Sequence, residues 1–364
     1  MGLPQTMAAV LLTGHGGFDK LEYRLDVPVP TPQPHEVLIR ILAAGVNNTD
    51  INTRIGWYSK RVTSATNVGG EAGFALVDST DGGWTGQPLQ FPRIQGADAC
   101  GRIVAVGAAV DPARLGERVI VAPMLSAPVG HKPFACWTFG SEGDGSFAQY
   151  AVAPAVETHK VECDWSDAEL ASIPCAYSAA ENALQRAGVK AGERVLITGA
   201  SGGVGSAAVQ LARRRGAEVI AVAGAAKAAG VQALGAGQII PRDQNLVEAL
   251  GPETVDVVFD VAAGPAWPQL LEVLRRGGRY ATVGAIAGPL VELDVRTLYL
   301  KDLTFFGCTY QPPGLFENLV GYIERGEIRP IVAATYPLHE IVRAQQDFLA
   351  KKFIGKLVLI PPED

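Results

Sequence analysis

Residues 7–12 of the chain are apolar and lead into a glycine-rich loop at 13–17. "HEVLIRILAAGVN" (35–47) then alternates apolar and polar positions, as a half-buried strand does. "GRIVAVG" (101–107) and "GERVIVAP" (116–123) are shorter β runs between glycine and proline punctuation. The front of the chain therefore reads as mainly β with many turns. Residues 55–91, including "TSATNVGGEAG" and "DSTDGGWTGQP", break this rhythm. The stretch is too long for an ordinary connection, so it is expected to be an elaborated loop over a site or a mobile flap.

From about Ser166 the period changes. "DAELASIPCAYSAAENALQRAG" has apolar residues at helical spacing, interrupted by Pro174. "ERVLITGAS", "AEVIAVAG", "VDVVFDVAA" and "GRYATVGAI" are short apolar strands, separated by helical segments such as "GSAAVQLARRRG" and "WPQLLEVLRRGG". Strands alternating with helices predict parallel βαβ units in a doubly wound sheet. The end of the chain reads as a helix ("GLFENLVGYIERGEI"), a strand ("ATYPL"), a helix ("HEIVRAQQDFLAKK") and a terminal strand ("GKLVLIP"). The expected class is α/β. A discontinuous β-rich domain (1–160 and 310–364) surrounds an inserted nucleotide-binding domain (161–309).

Composition narrows this picture. A chain of 364 residues, 48% hydrophobic and 19% charged, suits two well-buried domains. A net charge of −6 gives no footprint for nucleic acid or an anionic membrane. With no apolar run of spanning length and no signal-peptide pattern, the expected location is cytoplasmic. Cys100, Cys136, Cys163, Cys175 and Cys308 are scattered without a CxxC pair and read as reduced thiols, mostly small core residues. His15, His35, His131, His159 and His339 fall in no motif and read as surface or structural groups.

Specific chemistry first enters at "VLITGASGGVGSAAVQLARRRGAEVIAVAGAAK". Between a strand and a helix lie Gly199, Ala200, Ser201, Gly202, Gly203, Val204 and Gly205. Glycines there let the backbone approach a pyrophosphate, and the helix N-terminus presents free amides to it. Ala200 stands at the first of the three fingerprint glycines. The substitution adds one methyl group and requires only that this residue avoid a positive φ. At the tip of the next strand, where an acidic residue would bind a ribose 2′-hydroxyl, the chain has Gly224 and then Lys227. Glu218 is at the strand's other end. NADPH is therefore expected over NADH, with NADH possible. Lys227 is the first candidate for the 2′-phosphate, and Ser201 and Arg213 are weaker ones.

Together "PQPHEVLIRILAAGVNNTD", "IQGADACGRIVAVG", "GERVIV", "GSFAQYAVAP", "SIPCAYSAAENAL", the glycine turn and "KKFIGKLVLIP" resemble the medium-chain dehydrogenase/reductase superfamily. They look closest to its zinc-free branch of quinone oxidoreductases and enone reductases. The resemblance covers nearly the whole chain. It implies a GroES-like β-rich catalytic domain, a Rossmann domain, a nicotinamide in the cleft between them and a homodimer or homotetramer, paired through the strand "LTFFGCTY" (303–310). It also implies that Ser178, Gly284, Ala285 and Lys356 lie near the cofactor.

The zinc enzymes of that superfamily carry GVCxTD, GHE and a later cysteine. Here the corresponding places hold Asn47 in "GVNNTD", Ala97 in "GAD" and Cys175. An amide and a methyl group do not replace a thiolate and an imidazole, so no zinc is expected. Without a metal, hydrogen-bond donors must stabilise the charge that hydride transfer leaves on a substrate oxygen. The resemblance points to Asn47, Thr49 and Tyr58 as catalytic donors, with Asp50 orienting its neighbours. Trp57, Trp84 and Trp137, in or near the long loops, fit a roomy apolar pocket if those loops line the cleft; surface aromatic contacts or an oligomer interface are the alternatives. The expected substrate is a small apolar molecule or conjugated carbonyl, a quinone or an activated enone. Two alternatives stay open: a zinc-free alcohol or carbonyl dehydrogenase, and a dinucleotide-binding protein without turnover.

Overall fold

Six parallel strands form the nucleotide-side sheet in the computed structural model, which describes residues 2–78, 81, 86–135 and 137–363. Across the sheet they run Gln238–Pro241, Glu218–Ala223, Arg194–Ile197, Val255–Asp260, Leu274–Thr282 and Thr304–Gly307. Every adjacent pair is parallel. This is the doubly wound order, and its crevice lies beyond the carboxyl ends of Arg194–Ile197 and Val255–Asp260. Both faces of the sheet are covered. Val195 and Ile197 pack into the core formed with the helices Pro174–Arg186 and Gly203–Arg214, while Leu196 packs into the opposite core with Trp267–Val273. Burial on both sides explains why these strands read as continuous apolar runs rather than alternating ones.

The front sheet is built from both chain ends. Glu36–Gly45 pairs antiparallel with Cys100–Val106 and with Tyr150–Pro154. On its other flank Lys356–Ile360 joins it through Val358 opposite Gly45 and Leu359 opposite Ala44, and Val332–Pro337 lies parallel beyond. A β-rich GroES-like body and a Rossmann sheet are thus both present.

Three local differences from the expected pattern have physical reasons. The helix in "WPQLLEVLRRGG" stops at Val273, and Leu274–Thr282 is already strand. Gly277, at φ +70°, occupies backbone space a helix does not use. Pro174 does not break a helix but starts one: Asp167–Leu170 and Pro174–Arg186 are separate, with the proline in the first turn, where its missing N–H costs nothing. The helix Leu315–Glu324, grouped by sequence with the front domain, buries Leu315, Phe316, Leu319 and Ile323 in the nucleotide-side core. Its apolar stripe matches the one left by Pro174–Arg186.

Cys100, Cys163, Cys175 and Cys308 are free thiols; Cys136 and Trp84 lie outside the described residues. Among the described residues no helix is long and apolar enough to cross a membrane.

Candidate functional site

The glycine turn joins the strand Arg194–Ile197 to the helix Gly203–Arg214. Gly199 adopts φ +58°, and a Cβ there would meet Val261 at 2.6 Å. A Cβ on Gly205 would stand 2.2 Å from the Gly199 carbonyl oxygen, so the helix can approach the strand only as glycine. Ala200 is fully buried, has no positive φ and donates its N–H to Val222. Gly202 caps the helix without a side-chain hydrogen bond, and a Cβ added to it would meet only the Gly199 oxygen, at 3.6 Å. The first-turn amides therefore face open space, as a pyrophosphate requires.

That turn borders a cleft of about 760 Å³ lined by Thr198, Gly199, Ser201, Gly202 and Gly203 on one side and by residues 348–355 of the front body on the other. Three cations line it, Lys227 near both Arg242 and Lys351, together with the carboxylates of Asp243 and Asp260. Lys227 Nζ donates to the Lys351 carbonyl at 2.5 Å and approaches Ser201 Oγ at 3.5 Å. Partial desolvation and then the charge of Arg242 lower its pKa. Although Lys351 is exposed as a residue, its ammonium packs 3.6 Å from the centroid of the Phe348 ring. Desolvation there, followed by repulsion from Lys227, lowers it to about 7. No acidic residue ends the strand Glu218–Ala223. Lys227 and Lys351, lowered first by desolvation and then by neighbouring positive charge, would both gain from an anion placed between them. The cleft has the glycine turn and cations that a dinucleotide would need.

At the other end the cleft narrows to a pocket of about 170 Å³. The helix Asn48–Ile55 and the turn after it bring Thr49, Trp57 and Tyr58 to one wall; Val283, Gly284, Ala285 and Ile286 form the other. Tyr58 Oη donates to Thr49 Oγ1 at 3.1 Å. Burial raises the Tyr58 hydroxyl to about 12, so it remains a donor at neutral pH. Thr66 reaches across the bodies, its backbone N–H donating to the Ile286 carbonyl at 3.2 Å. Of the stretch after Ile55, Trp57 and Tyr58 thus line the inner pocket and Thr66 and Asn67 the larger cleft.

Behind this pocket lies a buried ionic cluster. Lys356 Nζ lies 2.7 Å from Asp98 Oδ2 and donates to Asn47 Oδ1 at 2.5 Å. Asn47 Nδ2 donates to the same Asp98 oxygen at 2.8 Å, and the Cys175 N–H donates to Asp98 Oδ1 at 2.6 Å. The Asn47 N–H donates to Asp50 Oδ2 at 2.7 Å. Burial, with the charge of Asp98 adding to it, raises the Asp50 carboxyl to about 7 against the pull of the Asn47 N–H and Lys356. Burial and then Asp98 also raise the Cys175 thiol far above its ordinary range. Asn47, Ala97 and Cys175 thus present one thiol, held protonated, in place of three zinc donors. Among the described residues, no group of three or more His, Cys, Asp or Glu side chains could hold a metal ion.

The residues singled out by sequence distribute as follows. Ser201, Gly202, Gly203 and Lys227 line the larger cleft; Val204, Gly284, Ala285, Asn47, Thr49 and Tyr58 line the inner pocket. Gly224 caps the turn that carries Lys227. Both polar ends of the Asn47 side chain are engaged by Asp98 and Lys356, so it faces the pocket without a free donor pointed at a substrate. Lys356 runs beside the glycine turn, where a Cβ on Gly203 would meet its Cδ at 2.8 Å, but its ammonium ends in the buried cluster. Ser178 is fully buried and accepts a hydrogen bond from Gln311, which lines the pocket in its place. Arg213 packs over Gly235, away from the cleft. Trp57 lines the pocket, whereas Trp137 sits 40% exposed in a two-residue strand paired antiparallel with Met124–Leu125. Arg242, Lys351 and Ile286 were not anticipated. Arg242 had a signal, since it follows the strand Gln238–Pro241 beside the one that carries Lys227.

The chain matches two family models, "Alcohol dehydrogenase GroES-like domain" over residues 33–163 and "Zinc-binding dehydrogenase" over residues 203–325. The second segment contains none of Asn47, Ala97 and Cys175. A quinone oxidoreductase from Lama guanicoe is 29% identical over 97% of each chain. A solved structure from Sinorhizobium meliloti 1021, provisionally described as an alcohol dehydrogenase, is 48% identical with a TM-score of 0.89, covering 99% of this chain and 98% of that one. A 2-octenoyl-CoA carboxylase reductase, solved with NADP and 2-octenoyl-CoA, is 25% identical with a TM-score of 0.81, covering 100% of this chain and 90% of that one.

Proposed function

The chain belongs to the medium-chain dehydrogenase/reductase superfamily, in its quinone oxidoreductase-like branch, and is a nicotinamide-dependent oxidoreductase; from that premise we propose that it uses NADPH, without zinc, to reduce a quinone or an activated carbon–carbon double bond. The observation that carries this reading is the closed cluster of Lys356, Asp98 and Asn47 at the place where zinc would need its ligands. An internal ammonium already neutralises the acidic group there, and the remaining thiol is held protonated.

When bound, the reduced nicotinamide supplies a hydride. The chain's own residues do the rest. Gly202 and the first-turn amides would receive the pyrophosphate, and Lys227, Arg242 and Lys351 the 2′-phosphate. Gly284 and Ala285 leave a backbone wall against which the nicotinamide would rest. Thr49, itself accepting from Tyr58, is free to turn its own proton toward an acceptor oxygen in the pocket. Such a donor stabilises developing negative charge and can pass a proton along the Tyr58–Thr49 pair. The Lys356–Asp98 pair holds Asn47, and through it the start of the helix that carries Thr49. Two hydroxyls supply less stabilisation than a metal, so a conjugated acceptor, which spreads the charge itself, suits this site best.

The 48% identical structure described as an alcohol dehydrogenase supports a second reading, a zinc-free alcohol or carbonyl dehydrogenase. One experiment separates the two. Metal-analysed protein is titrated with NADPH and NADH, then given a small quinone, an enone, a simple aldehyde and an alcohol. Selective NADPH binding, its oxidation by quinone or enone and no stoichiometric zinc are expected. Turnover restricted to aldehyde and alcohol would favour the second reading, and one zinc per chain would overturn the metal assignment.

A further inference from the structure

The inner pocket does not end the cleft. It opens past Trp57, Gly284, Ala285, Cys308 and Thr309, which are common to both spaces, into an outer chamber of about 630 Å³. With the nicotinamide against Gly284 and Ala285, what is left of the inner pocket holds only a reacting head group, so anything attached to that head must extend into the outer chamber. Aromatic side chains line the way: Trp57 at the junction, and Phe134 with Tyr310 beyond, their ring centroids 5.2 Å apart.

The charge of this chamber is one-sided. Its charged lining residues are Lys60 and Arg186, and no aspartate or glutamate lines it among the described residues. Arg186 donates to the Gly307 carbonyl at 2.5 Å and forms no ion pair among the described residues. Its charge is felt at Cys308, where it opposes the rise that burial imposes on the thiol. As a cation in the last turn of Pro174–Arg186, it has an ordinary structural role beside the helix dipole. Lys60 has no such reason. It comes from the opposite body, on the loop after Tyr58, is exposed, and forms no ion pair among the described residues. Two cations without carboxylates, facing one space in a chain of net charge −6, form a local field against the background.

We propose that the outer chamber receives an anionic tail of the acceptor, a carboxylate or a phosphate, joined to the reducible head by an apolar segment lying along Trp57 and Tyr310. This rests on the hydride-transfer reading above. It narrows the substrate class from any quinone or enone to a conjugated carbonyl or thioester carrying remote negative charge. Lys60 and Arg186 attract and seat the tail, while Thr49 and Tyr58 act on the head.

The test compares matched acceptors with the NADPH-loaded enzyme. One pair is a medium-chain enone ending in a methyl group and the same enone ending in a carboxylate. The other is 2-hexenoyl-N-acetylcysteamine and 2-hexenoyl-coenzyme A. The charged member of at least one pair is expected to show kcat/KM about tenfold higher or more, with the gap shrinking in high salt. Which pair shows it distinguishes carboxylate from phosphate. Lys60→Glu and Arg186→Glu should each lower the charged-to-neutral ratio about tenfold, and Lys60→Arg should preserve it. Equal turnover within both pairs, or a ratio unmoved by the two charge reversals, overturns the proposal while the hydride-transfer reading stands. Failure of every acceptor to oxidise bound NADPH overturns both.

Discussion

Lys356 and Asp98 form an ion pair 2.7 Å long with side chains 4% and 0% exposed, joining the last strand to a loop 258 residues earlier. A buried pair adds little net stability, but removing one partner strands the other charge away from water. Lys356→Met leaves Asp98 with only the Asn47 and Cys175 donors and is expected to cost about 3–5 kcal/mol. Adding Asp98→Leu should recover a large part of that loss. Equilibrium denaturation of the singles and the double reads the coupling; losses that simply add would mean the two charges do not act as a pair.

Asp50 carries a pH signature. Its folded pKa is raised from 3.8 to about 7, so folding favours the protonated form. Its contribution to stability is fully present below the unfolded value and is lost as pH rises through about 7. At 1.36 kcal/mol per unit the loss is at most about 4 kcal/mol. Asp98 and Lys356 both face it, so Asp50→Asn is the clean comparison. The Tm of the parent minus that of Asp50→Asn should fall as pH rises from 4 to 8. A difference that is flat across this range would show that Asp50 titrates normally.

Ala200 tests how literally the glycine fingerprint is to be read. It is buried, without positive φ, in a turn whose strict requirements fall on Gly199 and Gly205. Ala200→Gly should leave dinucleotide affinity within about twofold and cost about 0.5–1 kcal/mol of stability through backbone freedom. Gly205→Ala, with its Cβ 2.2 Å from a carbonyl oxygen, should abolish binding or folding. Calorimetric titration of both variants decides it, and strengthened binding by Ala200→Gly would mean the methyl group obstructs the pyrophosphate.

These contrasts mark what the sequence could carry. That the glycine turn and Lys227 share one cleft was legible because the pattern is local: strand, turn, helix and strand tip lie within one continuous run. The front strand 35–47 was legible from its alternation, whereas Leu21–Pro28 was not, since most of its residues are exposed and its partner Thr6–Leu12 supplies the apolar side. The engagement of Asn47 by Lys356 spans 309 positions, and no spacing rule anticipates it. Lys351 reaches the cleft beside the glycine turn because the turn after the final helix of the front body meets the nucleotide body, where Lys227 donates to the Lys351 carbonyl and the Gly355 N–H to the Ser201 carbonyl. Convergence of that kind is decided by packing between bodies, to which periodicity along the chain is blind.

Tyr58 should matter for the chemical step more than for binding. Its hydroxyl, held near 12 by burial, donates to Thr49 at 3.1 Å, and phenylalanine would remove that donor without changing shape. Tyr58→Phe is expected to lower kcat about 10–100-fold with little change in NADPH affinity, and Thr49→Val at least as much. Stopped-flow oxidation of bound NADPH separates the two effects. If kcat is unchanged in Tyr58→Phe while KM rises, Tyr58 is a wall of the pocket rather than part of a donor pair.

Cofactor choice is expected to depend on pH because of Lys351. Its ammonium, lowered to about 7 by desolvation and then by Lys227, is partly neutral in the free protein at physiological pH. A 2′-phosphate arriving among Lys227, Arg242 and Lys351 favours the charged form, so NADPH binding should take up a proton. The phosphate loses its own last proton near pH 6, which places the strongest NADPH binding at about 6–7. Above that, affinity should fall by up to about tenfold per unit, while NADH affinity stays nearly flat. Lys351→Arg, which remains charged, should remove the decline. Lys227→Glu should weaken NADPH at least tenfold more than NADH at every pH. Titrations with both dinucleotides from pH 6 to 9 check all three. Parallel curves for NADPH and NADH would take these cations out of the phosphate site.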